Sequence, residues 1–334
     1  MSTLSASRRR LLRLGVALAA TPLAPCLAFA SPAPANAEVL AGVTLRVATY
    51  KGGWTPLLTA SGLADTPYRI EWHELNNGLL HIEAINADAL DIGSGSEIPA
   101  VFAARQKANV KFIARTREDL NNQVTLARKD TPIRRIAELK GQRVGYVRGT
   151  TSHYFLYRQL TEAGLSFDDI RAINLAPADG LSAFAGGDID AWAIYGYNGQ
   201  LARNRYGARE LATGEGYLSG NFPIYANPRA LDDARRRAAI SDLLVRLRRA
   251  YAWANPHFID YARVQSAETR VPVDDLVAMF NRRSDDFELL NVRPDVIARH
   301  QEVADVFAHI GVLDGPANVA PFWDASFASI IQSA

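Results

Sequence analysis

Beyond residue 43 the apolar positions switch repeatedly between a period of two and a helical period, and most switches pass through glycine, serine or threonine. Residues 44–49 alternate apolar and polar side chains and predict a strand, which empties into Tyr50-Lys51-Gly52-Gly53-Trp54. Residues 68–74 alternate in the same way, whereas Leu79, Leu80, Ile82 and Ile85 recur at helical spacing. The run Asp91-Ile92-Gly93 reads as a short strand that turns at Ser94-Gly95-Ser96 into a helix over residues 99–107. Strands at 110–116 and 123–128 follow, then a short helix from Thr131. Residues 143–147 predict a strand that breaks at Gly149. The helix of residues 152–163 begins behind Thr150 and Thr151 and is stopped by Gly164. A strand at 171–175, a helix at 180–185 and a strand at 188–195 come next, the last delivering Gly196-Tyr197-Asn198. After an extended segment at 221–227, helical periods cover 232–254, 256–269, 273–281 and 294–310.

Strands and helices in this alternation specify an α/β fold. One device occurs twice, about a hundred residues apart: Asn86-Ala-Asp-Ala-Leu-Asp-Ile-Gly-Ser94 and Gly186-Gly-Asp-Ile-Asp-Ala-Trp-Ala-Ile194. In each, a helix ends at small residues, an acid-rich turn follows, and a short strand delivers a loop. The turns have a chemistry of their own. The first turn of a helix carries N–H groups with no intrahelical partner and the positive end of the macrodipole, and hydroxyl residues add caps and donors there. Ser94-Gly95-Ser96 and Thr150-Thr151-Ser152 are therefore candidate anion cradles. Gly52-Gly53 allows a tight turn beside a ligand, and Lys51 brings a cation to the end of the first strand. Ordinary helix capping and a solvated lysine account for the same residues equally well when each is taken alone.

The N-terminus changes the charge accounting. Ser7-Arg8-Arg9-Arg10-Leu11-Leu12-Arg13 precedes an apolar run to Ala20, and no acid appears before Glu38. Residues 1–37 read as a cleaved export signal of twin-arginine type, with cleavage expected at Ala35-Asn36-Ala37 or at Ala28-Phe29-Ala30. Pro25 stands where a lipoprotein signal has a small residue before its cysteine, so Cys26 is not expected to carry a lipid. The 334-residue chain has 37 basic and 35 acidic residues; removing the signal's four arginines leaves 33 against 35, a net charge of −2. A globally basic nucleic-acid binder is thereby excluded. Cys26 is the one cysteine, so the mature chain has no thiolate metal site, disulfide or cysteine nucleophile. No cofactor or metal is expected. His73 and His81 read as surface or edge residues, and the arginines at 235–237 as a solvated helix face interspersed with acids.

The segments Tyr50-Lys-Gly-Gly53, Gly93-Ser-Gly-Ser-Glu-Ile-Pro99, Arg148-Gly-Thr-Thr-Ser-His153, Leu175-Ala-Pro-Ala-Asp179 and Phe184–Ile194 occur in one order and spacing. With them the chain resembles the periplasmic solute-binding proteins of ABC importers for aliphatic sulfonates, within the taurine, nitrate and sulfonate group. The resemblance spans essentially the whole mature chain. It implies a periplasmic binding protein type II fold of two lobes joined by two crossovers: residues 38–128 with 223–334 in lobe one, and 129–222 in lobe two. Hinges are expected near 126–130 and 221–227. It also implies that a small anionic ligand, a sulfonate, is held by four converging loops. These are Lys51, Gly52 and Gly53; Ser94, Gly95 and Ser96; Thr150, Thr151, Ser152 and His153; and Tyr195, Tyr197 and Asn198. Close sulfonate binders usually continue the fourth loop as Trp-Asp-Pro-Tyr, where this chain has Tyr195-Gly196-Tyr197-Asn198. Taurine, a sulfate ester, nitrate or another small ligand stays open at this point, as does an enzyme on the same fold. Glu97 supports its helix or binds an ammonium. The implied partners are an ABC permease, its ATPase and the twin-arginine export machinery, with the mature protein a periplasmic monomer.

Overall fold

The computed structural model describes residues 37–117 and 119–333, so residues 1–36 of the expected export signal lie outside the described residues. Short α1 (Ala37–Leu40) leads into β1 (Thr44–Thr49), α2 (Trp54–Ala60), β2 (Arg69–Glu74), α3 (Gly78–Asn86), β3 (Ile92–Ser94), α4 (Glu97–Arg105) and β4 (Lys111–Arg117). The next stretch runs through β5 (Gln123–Ala127), β6 (Arg143–Tyr146), α5 (Thr151–Glu162), β7 (Arg171–Asn174), α6 (Pro177–Gly186), β8 (Ala191–Tyr195), α7 (Tyr197–Tyr206) and β9 (Arg209–Thr213). The chain closes with β10 (Asn221–Ala226), α8 (Pro228–Asp232), α9 (Ala234–Ala254), α10 (Phe258–Thr269), α11 (Val273–Asn281), β11 (Leu289–Leu290), α12 (Pro294–His309) and α13 (Ala328–Ser333).

Two mixed sheets result. Their strand orders are β11-β4-β10-β3-β1-β2 and β7-β6-β8-β5-β9. In each sheet three parallel strands (β2-β1-β3 and β7-β6-β8) meet one antiparallel strand, β10 or β5. Both antiparallel strands enter directly after the chain has crossed from the other sheet. The duplicated device of the sequence supplies β3 and β8, the strands against which β10 and β5 pair.

The crossings lie between β4 and β5 and between β9 and β10. The first was expected at 126–130, with lobe one running to 128. However, β5 is wholly buried and pairs on both flanks, Gln123 with Tyr195 and Val124 with Thr213, so it belongs to the second sheet. The second expected hinge, 221–227, is largely β10, in the interior of the first sheet. The crossing itself is the turn of residues 214–220, where Gly216 and Gly220 take positive φ.

The lobe-one core packs Leu45 and Val47 of β1 against Leu243, Leu244 and Leu247 of α9. Beneath α4, Ile98 and Val101 meet Val303 and Phe307 of α12. In lobe two, Phe155, Leu156 and Leu160 of α5 cover Val144 and Ala191 on one face of the sheet. Trp192, Ile194 and Phe184 fill the other face. The arginines at 235–237 do more than solvate a face. Arg235 Nε donates to the Val39 carbonyl, Arg236 pairs with the buried Asp91, and Arg237 lies over the Phe327 ring.

Candidate functional site

A cavity of about 230 Å³ opens where the loops of the two sheets face each other. Four helices begin on it: α3 at Asn77 and Gly78, α4 at Ser96, α5 at Thr150 and Thr151, and α7 at Gly196. Asn77 caps its own helix, its Oδ1 accepting the Leu80 N–H at 3.0 Å. The N-cap side chains of α4 and α5, Ser96 and Thr150, accept none of their helices' N–H groups, and Gly196 at the start of α7 has no side chain to do so. First-turn donors and three dipole ends are therefore directed to one space. The rest of the lining is Tyr50, Pro99, Asn122, Gln123, Tyr195 and Phe222; no Lys, Arg, His, Asp or Glu is among the lining residues.

Of the residues expected at the ligand, Ser96, Thr150, Thr151 and Tyr195 line this cavity. The two threonine hydroxyls are already committed as donors. Thr151 Oγ1 donates to Gln123 Oε1 at 2.7 Å, and Thr150 Oγ1 donates to the Val147 carbonyl at 2.7 Å. What they offer the cavity is lone pairs and backbone, and the amide side chains of Asn122 and Gln123 belong to the same lining. Ser94 and Gly53 line a smaller neighbouring cavity instead. Gly95 is a spacer: a Cβ there would stand 2.6 Å from the Tyr225 hydroxyl and 2.9 Å from Gly78 Cα, so only glycine lets α3 and the β3–α4 loop approach this closely.

The remaining expected residues are placed elsewhere. Lys51 is exposed and outside the lining. Gly52, at φ 75°, is fastened to α10, its N–H donating to Glu268 Oε1 at 2.6 Å and its carbonyl accepting from Gln265 Nε2 at 2.7 Å. Ser152 is buried and its Oγ accepts the Val147 N–H at 3.0 Å. His153 is buried as well; its Nδ1 accepts the Gly149 N–H at 3.3 Å and its ring packs on Tyr146, Phe167 and Phe307. Burial, helped by nearby Arg148, pulls its pKa down to about 4. Tyr197 is half-buried against the lobe-one core, and Asn198 is half-buried beside it on α7.

Residues behind the cavity hold its loops in place. His81, expected at the surface, is fully buried, and its Nδ1 accepts the Ser94 N–H at 3.2 Å while Nε2 faces the Leu75 carbonyl at 3.3 Å. Burial draws its pKa to about 4, so the ring is neutral and fixed in one tautomer. The Tyr50 hydroxyl donates to the Ser94 carbonyl at 3.2 Å and the Tyr225 hydroxyl to the Ser96 carbonyl at 2.6 Å. Glu97 turns away from the cavity, its Oε1 accepting the Ser219 hydroxyl of the second crossing at 2.6 Å. Burial raises its carboxyl to about 7. His300 Nε2 meets the Glu97 carbonyl at 2.8 Å and its Nδ1 accepts the Trp323 indole N–H at 3.1 Å, which ties α12 to the start of α4.

Residues 69–216 match the family model described as NMT1/THI5 like. That segment of the NMT1/THI5-like match contains all four helix starts of the cavity. The chain is 29% identical over 297 residues to a protein of Escherichia coli K12 named for binding aliphatic sulfonates, across 87% of this chain and 90% of that one. Among solved structures it is similar to the alkanesulfonate-binding protein SsuA of Xanthomonas axonopodis pv. citri bound to MOPS. The TM-score is 0.77 at 25% identity, over 85% of this chain and 99% of that one. The periplasmic aliphatic sulphonate binding protein SsuA of Escherichia coli superposes with a TM-score of 0.76 at 27% identity, over 85% and 92% of the two chains. The two-lobed fold expected from the resemblance is the fold of these proteins.

Proposed function

We propose that this chain is the extracytoplasmic solute-binding component of an ABC importer and captures a small organic sulfonate in the cleft. The observation that carries this reading is the convergence of four helix starts on a cavity lined by no charged side chain. A sulfonate is ionised at every physiological pH, has three acceptor oxygens and has no proton to give. It is matched by N–H donors and dipole ends, which give strength without a counter-charge, and is repelled by carboxylates. Ser96, Thr150, Thr151 and Tyr195 contact the head group, with Asn122 and Gln123 supplying amide donors. An ammonium, as on taurine, finds no carboxylate in the lining. Binding is favoured over catalysis because the lining includes no imidazole, carboxylate or thiol. The relatives named as sulfonate binders support the same choice. The permease and its ATPase receive the ligand.

Thermal unfolding with methanesulfonate, taurine, sulfate and nitrate in turn tests the ligand class. The largest upward shift is expected with the alkanesulfonate; a shift confined to nitrate would overturn it. Lobe closure about residues 119–122 and 214–220 is the expected motion. Small-angle scattering should show a smaller radius of gyration with saturating sulfonate, and an unchanged profile under confirmed binding would argue for a rigid cleft. We further propose export by the twin-arginine route to the periplasm. Replacing Arg8, Arg9 and Arg10 by lysine should retain the precursor inside the cell, and undiminished export of that variant would exclude the route.

A further inference from the structure

Behind the main cavity lies a second chamber of about 160 Å³, and Tyr50 and Phe222 line both. Its other aromatic walls are Trp54, Tyr251 and Tyr261, and Thr116 of β4 completes one side. Trp54, Tyr261 and Thr116 are each less than a tenth exposed, so these walls of the chamber belong to the buried part of lobe one. It has no charge to offer. Its lining holds no Lys, Arg, Asp or Glu. Burial pushes the Tyr251 hydroxyl up to about 12 and that of Tyr261 higher still, so both stay neutral. The Trp54 indole N–H is already donated to the Tyr251 oxygen at 3.1 Å, which leaves the ring faces as what this wall presents.

We propose that this chamber is a tail subsite, and that the preferred ligand is a sulfonate bearing one uncharged six-membered ring, seated beyond Tyr50 and Phe222 while the anion stays at the helix starts. The inference rests on the reading of the main cavity as the anion site. Size selects one ring: an apolar cavity of roughly 150 Å³ admits a benzene molecule. Chemistry selects an uncharged ring, because aromatic walls offer offset and edge-to-face packing and an ionic tail would lose its hydration with no partner in return. Tyr50 and Phe222, whose ring centroids are 6.1 Å apart, are walls common to both spaces, so a head group in one lies beside a ring in the other.

Calorimetric titration of the exported chain with methanesulfonate, benzenesulfonate, 2-naphthalenesulfonate and taurine tests it. Benzenesulfonate should bind at least tenfold more tightly than methanesulfonate, and the second ring of naphthalenesulfonate should remove that gain. Thr116→Leu fills the chamber and should bring the benzene-to-methane ratio to within about twofold of unity, whereas Thr116→Val, nearly isosteric, should keep it. Circular dichroism establishes that both variants are folded. Equal affinities for the two sulfonates in the parent would overturn the subsite and leave the anion site standing. So would a ratio that survives Thr116→Leu, or a gain for taurine equal to that for benzenesulfonate. Absence of binding by every sulfonate would overturn both readings.

Discussion

Between pH 7 and pH 4.5 the folded protein is expected to lose on the order of 5 kcal/mol of stability, a large part of what a domain usually has. Three buried histidines drive the loss. His81, His153 and His300 each use Nδ1 to accept an N–H, from Ser94, Gly149 and Trp323 respectively. A proton on that nitrogen breaks the bond and buries a charge. Their pKa values lie at about 4 in the folded chain, lowered first by desolvation. An unfolded histidine titrates near 6.5, so below that pH the unfolded state binds more protons and stability falls as pH falls, until about pH 4. Glu97 works in the opposite direction. Its folded carboxyl is raised to about 7, so the native state takes up a proton first and gains stability as pH drops from 7 toward 4.5. Three groups against one leave a net loss. Carboxylates with lowered pKa, such as the half-buried Asp190 and the exposed Asp233, add to the loss mainly below this window. Urea unfolding at half-unit steps from pH 7 to 4.5 reads the slope. His81→Asn, whose amide oxygen can accept the Ser94 N–H without titrating, should flatten it by about half, since Glu97 already offsets about one of the three rings. A stability that is level across the window would contradict the assignment of all three rings as neutral acceptors.

Much of the architecture is legible in the sequence because it is local. Periods of two and of helical spacing mark most of the strands and helices, and the duplicated helix–acid turn–strand device marks β3 and β8. The lobe assignment of β5 was not legible, because it is fixed by pairing Gln123 with Tyr195, 72 positions along the chain (123 to 195). The same distance hides Gln123 and Asn122 from any motif, although the amide runs Asn121-Asn122-Gln123 and Asn76-Asn77 were the available signal. The α5 start shows a second limit. Thr151, Ser152 and His153 are neighbours in sequence, but each residue turns a helix by about 100°. Only the first of the three lines the cavity; Ser152 turns to the Val147 backbone, and the His153 ring packs on Tyr146, Phe167 and Phe307. His81 looked like a surface residue because its helix is weakly amphipathic. Its burial follows from the Ser94 loop folding over it, a tertiary contact no local pattern encodes.

The account centres on the anion sitting at the start of α5, and Thr151→Asp is the substitution with the largest expected effect on binding. A carboxylate at the first position of a helix is favoured by the dipole, so the variant should fold. The same carboxylate would face a sulfonate that cannot protonate, and like charges brought together in a water-poor site cost several kcal/mol. Thr151→Ala is milder. It removes the 2.7 Å bond that positions Gln123 Oε1 beside the cavity, for an expected loss of roughly tenfold. Lys51→Ala should change affinity little, and less still at high salt, because that lysine is exposed and outside the lining.

Calorimetric titration of Thr151→Asp with methanesulfonate, beside the parent and after circular dichroism has established folding, is the most direct measurement. Affinity should fall by at least about a hundredfold, roughly 2.7 kcal/mol. Binding as tight as the parent's would mean that the anion does not sit at this helix start, and would contradict the site proposed here.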